Sequence, residues 1–181
     1  MDAAPAMGER PERHVAESAM LLFGAEMARS LRESLGLEAA IRQLETVGFT
    51  TGTRLVTRLM GTRFPIIAER NAMKFVCKEL WVSLFRKPAN RLQTDRRGNY
   101  IIQDTCFRWL EHFSPPPDGQ ASTELHETAL LHLAFPCGII RGALLAIGVE
   151  CSVLAEISVS TLPACSFTVT LAESQQAPTS V

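Results

Sequence analysis

At 181 residues the chain is long enough to bury a substantial core and reads as one domain; with 46% apolar and 20% charged residues it is too apolar for general disorder. A formal net charge of −1 argues against a nucleic-acid binder held by a broad positive field. Cys77, Cys106, Cys137, Cys151 and Cys165 are widely spaced with no CxxC pair, which argues against a disulfide framework or zinc site and for a reducing, cytosolic compartment.

Residues 1–13 hold Pro5 and Pro11 among charges and read as a loose tail, without the apolar run of a secretory signal. From His14 the periodicity predicts a helix, with Val15, Ala19, Leu22, Phe23 and Met27 on one face and Gly36 as its stop. A second helix follows, with Ile41, Leu44, Val47, Leu55 and Leu59 as its apolar side and Glu38 and Arg42 as an i,i+4 pair. Gly48 and Gly52 weaken its middle but bare one side for close docking of another helix.

After a break at Pro65, a third helix is expected from Ile67 to Phe85. Phe75, Val76, Leu80, Trp81 and Leu84 turn inward, Lys74, Lys78 and Glu79 outward, and Pro88 ends it. The period then changes. Arg91–Thr94 and Tyr100–Gln103, joined by Asp95-Arg96-Arg97-Gly98-Asn99, predict a β-hairpin in which Gly98 and Asn99 tolerate positive φ.

SPPPDGQAST, at 114–123, reads as a surface loop. A fourth helix then starts at a Ser122 or Thr123 cap, with Glu124 and Glu127 in its first turn. Pro136 either kinks one long helix or opens a shorter one that runs to Ile147. The stretch from Thr128 to Val149 is long and apolar enough to span a membrane. It contains Arg141, which would cost about 2.5–3.5 kcal/mol at a bilayer centre. A buried core helix is the better account.

The end of the chain alternates strictly. Cys151, Val153, Ala155, Ile157 and Val159, then Cys165, Phe167, Val169 and Leu171, define two strands, each with one apolar face. Helices are therefore expected on one side of the sheet. ESQQAPTSV, at 173–181, reads as a polar tail, and the chain shows no internal repeat and no phosphate loop.

Catalysis by a nucleophile needs an adjacent base. His14, His112, His126 and His132 are scattered and read as structural or surface histidines. Asp104 and Glu111 are possible paired acids, but their spacing does not bring them together. Arg141, the lone charge in an apolar stretch, must snorkel, pair with an acid or lie at an interface. The first two helices carry more apolar and small residues than a solvated pair needs. This is consistent either with ordinary packing or with burial against another subunit.

FPCGIIRGALLAIGVE at 135–150, followed by two alternating strands joined through Thr161-Leu162-Pro163, resembles the small core subunits of the transport protein particle (TRAPP), a vesicle-tethering complex. LETVGFTTGTRLVTRL (44–59), MKFVCKELWVSLFRK (73–87) and LQTDRRGNYIIQD (92–104) fit in the same order, most like the sixth-subunit type, over roughly residues 14–171. The motif residues are Gly138, Arg141, Gly142, Ala143, Leu144 and Gly148.

The resemblance implies an α+β fold of four helices on one face of a small antiparallel sheet made of two hairpins. It also implies a non-catalytic scaffold without cofactors or metals, heterodimerised with a third-subunit-type partner through the first two helices. On that analogy Val15, Ala19, Leu22, Phe23, Ile41, Leu44, Gly48, Gly52 and Leu55 are the candidate interface.

The complex it implies acts in nucleotide exchange on a Rab-type GTPase in ER-to-Golgi and intra-Golgi traffic. The location would be cytoplasmic, peripheral on cis-Golgi and ER-derived membranes, with no nucleic-acid partner. The third-subunit type carries a buried acylated cysteine before its third helix, where this chain has Phe64. Two other readings stand beside this one. They are a small-molecule-sensing domain of the related vinyl-reductase-associated fold, and a thiol-dependent enzyme using a cysteine of lowered pKa.

Overall fold

The structure, a computed structural model, describes residues 17–60, 68–113 and 123–172. The expectations for both tails, Val15, His14, Phe64, Pro65 and the loop at 114–122 lie outside these residues. The element order is α1 (Glu17–Leu35), α2 (Leu37–Met60), a third helix α3 over 69–85, β1 (Arg91–Thr94), β2 (Tyr100–Asp104), α4 (Thr123–Ala146), β3 (Cys151–Ile157) and β4 (Cys165–Leu171). The sheet is antiparallel with order β1-β2-β4-β3, so each hairpin contributes one strand to the central β2–β4 pair. This is the expected α+β architecture.

Gly36 separates α1 from α2. Its φ of +78° suits a left-handed C-terminal turn, and its N–H donates to the Arg32 carbonyl at 2.9 Å. The expected second site of positive φ in the β1–β2 turn is not used: Gly98 takes it, and Asn99 does not. The Asp95 carboxylate closes that turn instead, accepting from the backbone N–H groups of Arg97 and Asn99, each at 2.8 Å.

α3 is α-helical over Glu69–Phe75, winds one π-helical turn over Val76–Leu80, and resumes as Trp81–Phe85. The wider turn frees the Cys77 carbonyl, which accepts from the Ala89 N–H at 2.9 Å and ties down the chain leaving the helix. Trp81, Phe85, Phe107 and Phe167 pack between α3 and the sheet, with tilted and edge-on ring centroids 4.7–6.2 Å apart.

α4 is one continuous helix with Pro136 inside it, which decides between the two starts left open by the sequence. Pro136 and most residues around it are buried, so packing on both sides offsets the hydrogen bond a proline cannot make. The helix is long and apolar enough to cross a membrane, yet 67% of its most apolar window is buried inside the protein. It is the core helix, flanked by α2 and β3.

The expected face of α1 is corrected, and that of α2 at one position. On α1 the inward side is Leu21, Met27, Ala28 and Leu31, while Ala19, Leu22 and Phe23 face outward. On α2 the buried residues are Ala40, Leu44, Gly48, Gly52 and Val56, and Val47 is exposed. The periodicity misread α1 because that helix is apolar nearly all round between Ala19 and Ala25; on α2 it placed Ile41, Leu44, Leu55 and Leu59 against the protein but erred at Val47, because the fully buried stripe there is built mainly from small residues.

Candidate functional site

Four glycines bring α2 and α4 into backbone contact. A side-chain carbon added to Gly48 would sit 2.2 Å from the Phe135 carbonyl oxygen, and one on Gly52 would sit 2.1 Å from that of Ile139. From the other side, a carbon on Gly138 would meet the Glu45 oxygen at 2.1 Å, and one on Gly142 the Phe49 oxygen at 2.1 Å. The contacts climb both helices together, so α2 and α4 run in the same direction. Each glycine Cα–H points at a carbonyl oxygen across the seam, a weak hydrogen-bond geometry that recurs where helices touch.

Gly48, Gly52, Gly138 and Gly142 therefore spend their small size inside the chain. The close helix docking expected of Gly48 and Gly52 occurs, but with the chain's own α4. Together with Leu44, which is buried under α1 and α4, they form no open surface for a second chain. Ile41 and Leu55 are half-buried against the internal clusters.

Arg141 is resolved in the same way. Its guanidinium lies 5.1 Å from the centroid of Phe49, on α2, in a cation–π contact. Burial lifts the Glu45 carboxyl above the usual carboxylate range, and the Arg141 charge opposes that lift in part. Of the remaining motif residues, Ala143 and Leu144 are core, and Gly148 (φ +88°) makes the turn from α4 toward β3.

Asp104 is buried at the end of β2. Its carboxylate accepts from Trp81 Nε1 at 2.9 Å, Lys87 Nζ at 2.5 Å and the Cys106 N–H at 3.0 Å, and Lys87 also donates to the Cys106 carbonyl. Glu111 instead accepts from the Cys106 thiol at 3.4 Å. The two acids flank Cys106, each with its own donor, and do not form an acid pair. That hydrogen bond, followed by desolvation and the Glu111 charge, pushes the Cys106 thiol up, despite its exposure.

Burial raises the Cys77 and Cys137 thiols to about 12 and Cys151 to about 11, and pushes Cys165 up further. These shifts oppose thiolate formation. His132 stacks edge-on with Phe113 at 5.0 Å, and its Nδ1 lies 2.8 Å from the Thr128 carbonyl oxygen. Among the described residues no three or more His, Cys, Asp or Glu side chains gather as a metal site.

What remains open is the outer side of α1. Met20, Leu22 and Phe23 are 64%, 71% and 66% exposed, consecutive in the chain but for Leu21, with Ala19 exposed beside them. Among the other exposed apolar side chains, Leu35 lies at the far end of α1, and Val47, Val82, Leu145 and Leu154 stand apart on separate elements. α1 itself is firmly seated at its C-terminal half. There Ala28 is buried, and Arg32 donates to Thr128 Oγ1 at 3.0 Å and Glu127 Oε2 at 2.9 Å on α4. The helix thus holds out an apolar N-terminal half on an anchored base.

The sequence profile of the family described as transport protein particle (TRAPP) component matches residues 19–172. Zebrafish (Danio rerio) trafficking protein particle complex subunit 6b is 40% identical over 129 residues, covering 71% of this chain and 77% of that protein. Human (Homo sapiens) subunit 6A is 37% identical over 139 residues, covering 77% and 82%. The crystal structure of Naegleria fowleri trafficking protein particle complex subunit 3, covalently bound to palmitic acid, superposes with a TM-score of 0.67. That match spans 84% of this chain and 93% of that one at 16% identity, a likeness of fold.

Proposed function

Given that the chain belongs to the TRAPP component family, we propose that it is a non-catalytic structural subunit that pairs with a third-subunit-type partner through the outer face of α1. The observation that carries this is the apolar group Ala19, Met20, Leu22 and Phe23, held out to solvent on a helix whose other end is anchored. Fully burying a leucine or phenylalanine side chain stabilises by about 1.5–3 kcal/mol, so three such residues make a strong local reason to associate. A partner of the same fold, as the subunit 3 likeness suggests, could offer its own corresponding helix in a near-twofold arrangement.

Within the assembled complex this subunit would support nucleotide exchange on a Rab-type GTPase carried out mainly by other subunits. It would act in ER-to-Golgi and intra-Golgi traffic, in the cytoplasm and peripherally on cis-Golgi and ER-derived membranes. The test is co-expression with the third-subunit-type protein, read by size-exclusion chromatography with light scattering. A one-to-one heterodimer, lost in Leu22→Glu, is the expected result. A wild-type chain that stays apart from that partner refutes the reading.

A further inference from the structure

The sheet has one side without helices. There Gln103, Ser166 and Glu156 stand in register across β2, β4 and β3. Two residues further along each strand direction, Thr105, Ala164 and Ser158 carry the same face past the end of the pairing. Thr161, on the connection from β3 to β4, adds a wall, and an open cavity of about 480 Å³ lies between these residues. Ligand sites span about 300–1,000 Å³, so the cavity is of binding size.

Its walls are fixed by hydrogen bonds. The Thr161 N–H and Oγ1 both donate to the Ser158 carbonyl, at 3.0 Å and 3.2 Å, and the Ala164 N–H donates to the Thr161 carbonyl at 2.9 Å. The Phe107 N–H donates to the Pro163 carbonyl at 3.1 Å, and the Thr105 N–H to Asn90 Oδ1 at 2.9 Å, which ties the connection to the chain leaving β2. These bonds use backbone groups. The side-chain oxygens of Glu156, Ser166 and Thr105 have no partner among the described residues.

The charge in the cavity is one-sided. Glu156 is exposed and is the one carboxylate of the lining, which holds no cation. Arg91 continues the row of Gln103, Ser166 and Glu156 on β1, but three strand spacings, about 14 Å, separate it from Glu156. Lys87 is committed to Asp104 on the buried side of the sheet. An unpaired carboxylate among free hydroxyls complements a guanidinium, whose planar fork offers five N–H donors to acceptors in different directions. A lysine ammonium is a compact and more strongly hydrated charge.

We infer that this cavity is a socket for an arginine side chain carried by another protein, with Glu156 as the charged contact and Ser166 and Thr105 as further acceptors. It opens on the side of the sheet away from the helices, so covering α1 leaves it free, and it is independent of the pairing proposed above.

The experiment titrates the full chain, isotopically labelled, with N-acetyl-arginine methylamide and follows the backbone amides by NMR. Saturable shifts centred on Glu156, Ser158, Thr161 and Ser166 are expected. The citrulline counterpart, which has the same shape without the charge, should give none. Glu156→Gln should weaken binding by about fivefold with an unchanged melting temperature. The absence of saturable shifts at these amides overturns the socket, and so does a Glu156→Gln variant that binds like the parent. A lysine counterpart that binds as tightly as arginine overturns the guanidinium assignment. Free arginine carries its own carboxylate and should bind no better than the capped form. If it binds about tenfold tighter, the occupant is a free amino acid and the assignment to a partner protein is overturned.

Discussion

Gly142 and Phe49 meet backbone to backbone: a side-chain carbon on the glycine would lie 2.1 Å from the phenylalanine carbonyl oxygen. The same Phe49 carries the Arg141 guanidinium on its ring. One residue of α2 thus receives both the glycine and the arginine of the motif on α4, and the motif is a device for joining two helices of one chain.

The seam makes a sharp contrast between glycines. Gly52→Ala gains helix propensity but drives a methyl into the Ile139 backbone, and should destabilise by about 2–3 kcal/mol. Gly24→Ala, on α1 with nothing within 4 Å of the new carbon, should stabilise by about 0.5–1 kcal/mol. Urea denaturation of both variants checks the signs. Equal effects would show that α2 and α4 can separate freely.

Arg86 follows α3 in the left-handed region at φ 60°, with its N–H donating to the Val82 carbonyl at 3.0 Å. An L side chain is strained there by about 1–2 kcal/mol, and glycine is not. Arg86→Gly should therefore raise stability by about 1 kcal/mol. Arg86→Ala, which keeps the Cβ, should not.

Asp104 concentrates three donors on one buried carboxylate. Asp104→Ala strands the Trp81 N–H and the Lys87 ammonium, and should cost about 3–5 kcal/mol. Asp104→Asn keeps an acceptor oxygen and should cost less than half as much. Denaturation midpoints and Trp81 fluorescence report both.

Glu45 titrates above the usual carboxylate range in the folded chain because burial disfavours its charge. A carboxyl raised on folding adds stability below its unfolded pKa and loses that contribution as pH rises through the folded value. Glu45→Gln, which cannot ionise, should melt higher than the parent near pH 7. The gap should close as pH falls below the ordinary carboxylate range. Melting curves across that window test the sign, and a gap that widens on acidification would contradict it.

Much of the architecture was legible in the chain. The β1–β2 hairpin, the two alternating C-terminal strands and the buried positions of α3 follow from period-2 and helical patterns, because in those segments one side is apolar and the other is polar. The pairing of Gly48 and Gly52 with a helix was legible too, through the bareness of small residues. The choice of helix was not, since a glycine says that something comes close and never what.

Pro136 shows the same division. By itself it permits a kink, a new start or a continuous helix, and α4 runs through it because the surrounding residues are buried on both sides. Tertiary packing likewise decided which faces of α1 and α2 stay open. Leu22 and Phe23 are as apolar as any core pair, but Ala28, Arg32 and Leu31 hold the opposite side of α1 against α2 and α4, so the larger side chains point away. Sequence alone determined the elements and the family, because both are written in local pattern. The outward surface was decided by which sides the helices spend on one another, and that is settled only when backbones meet.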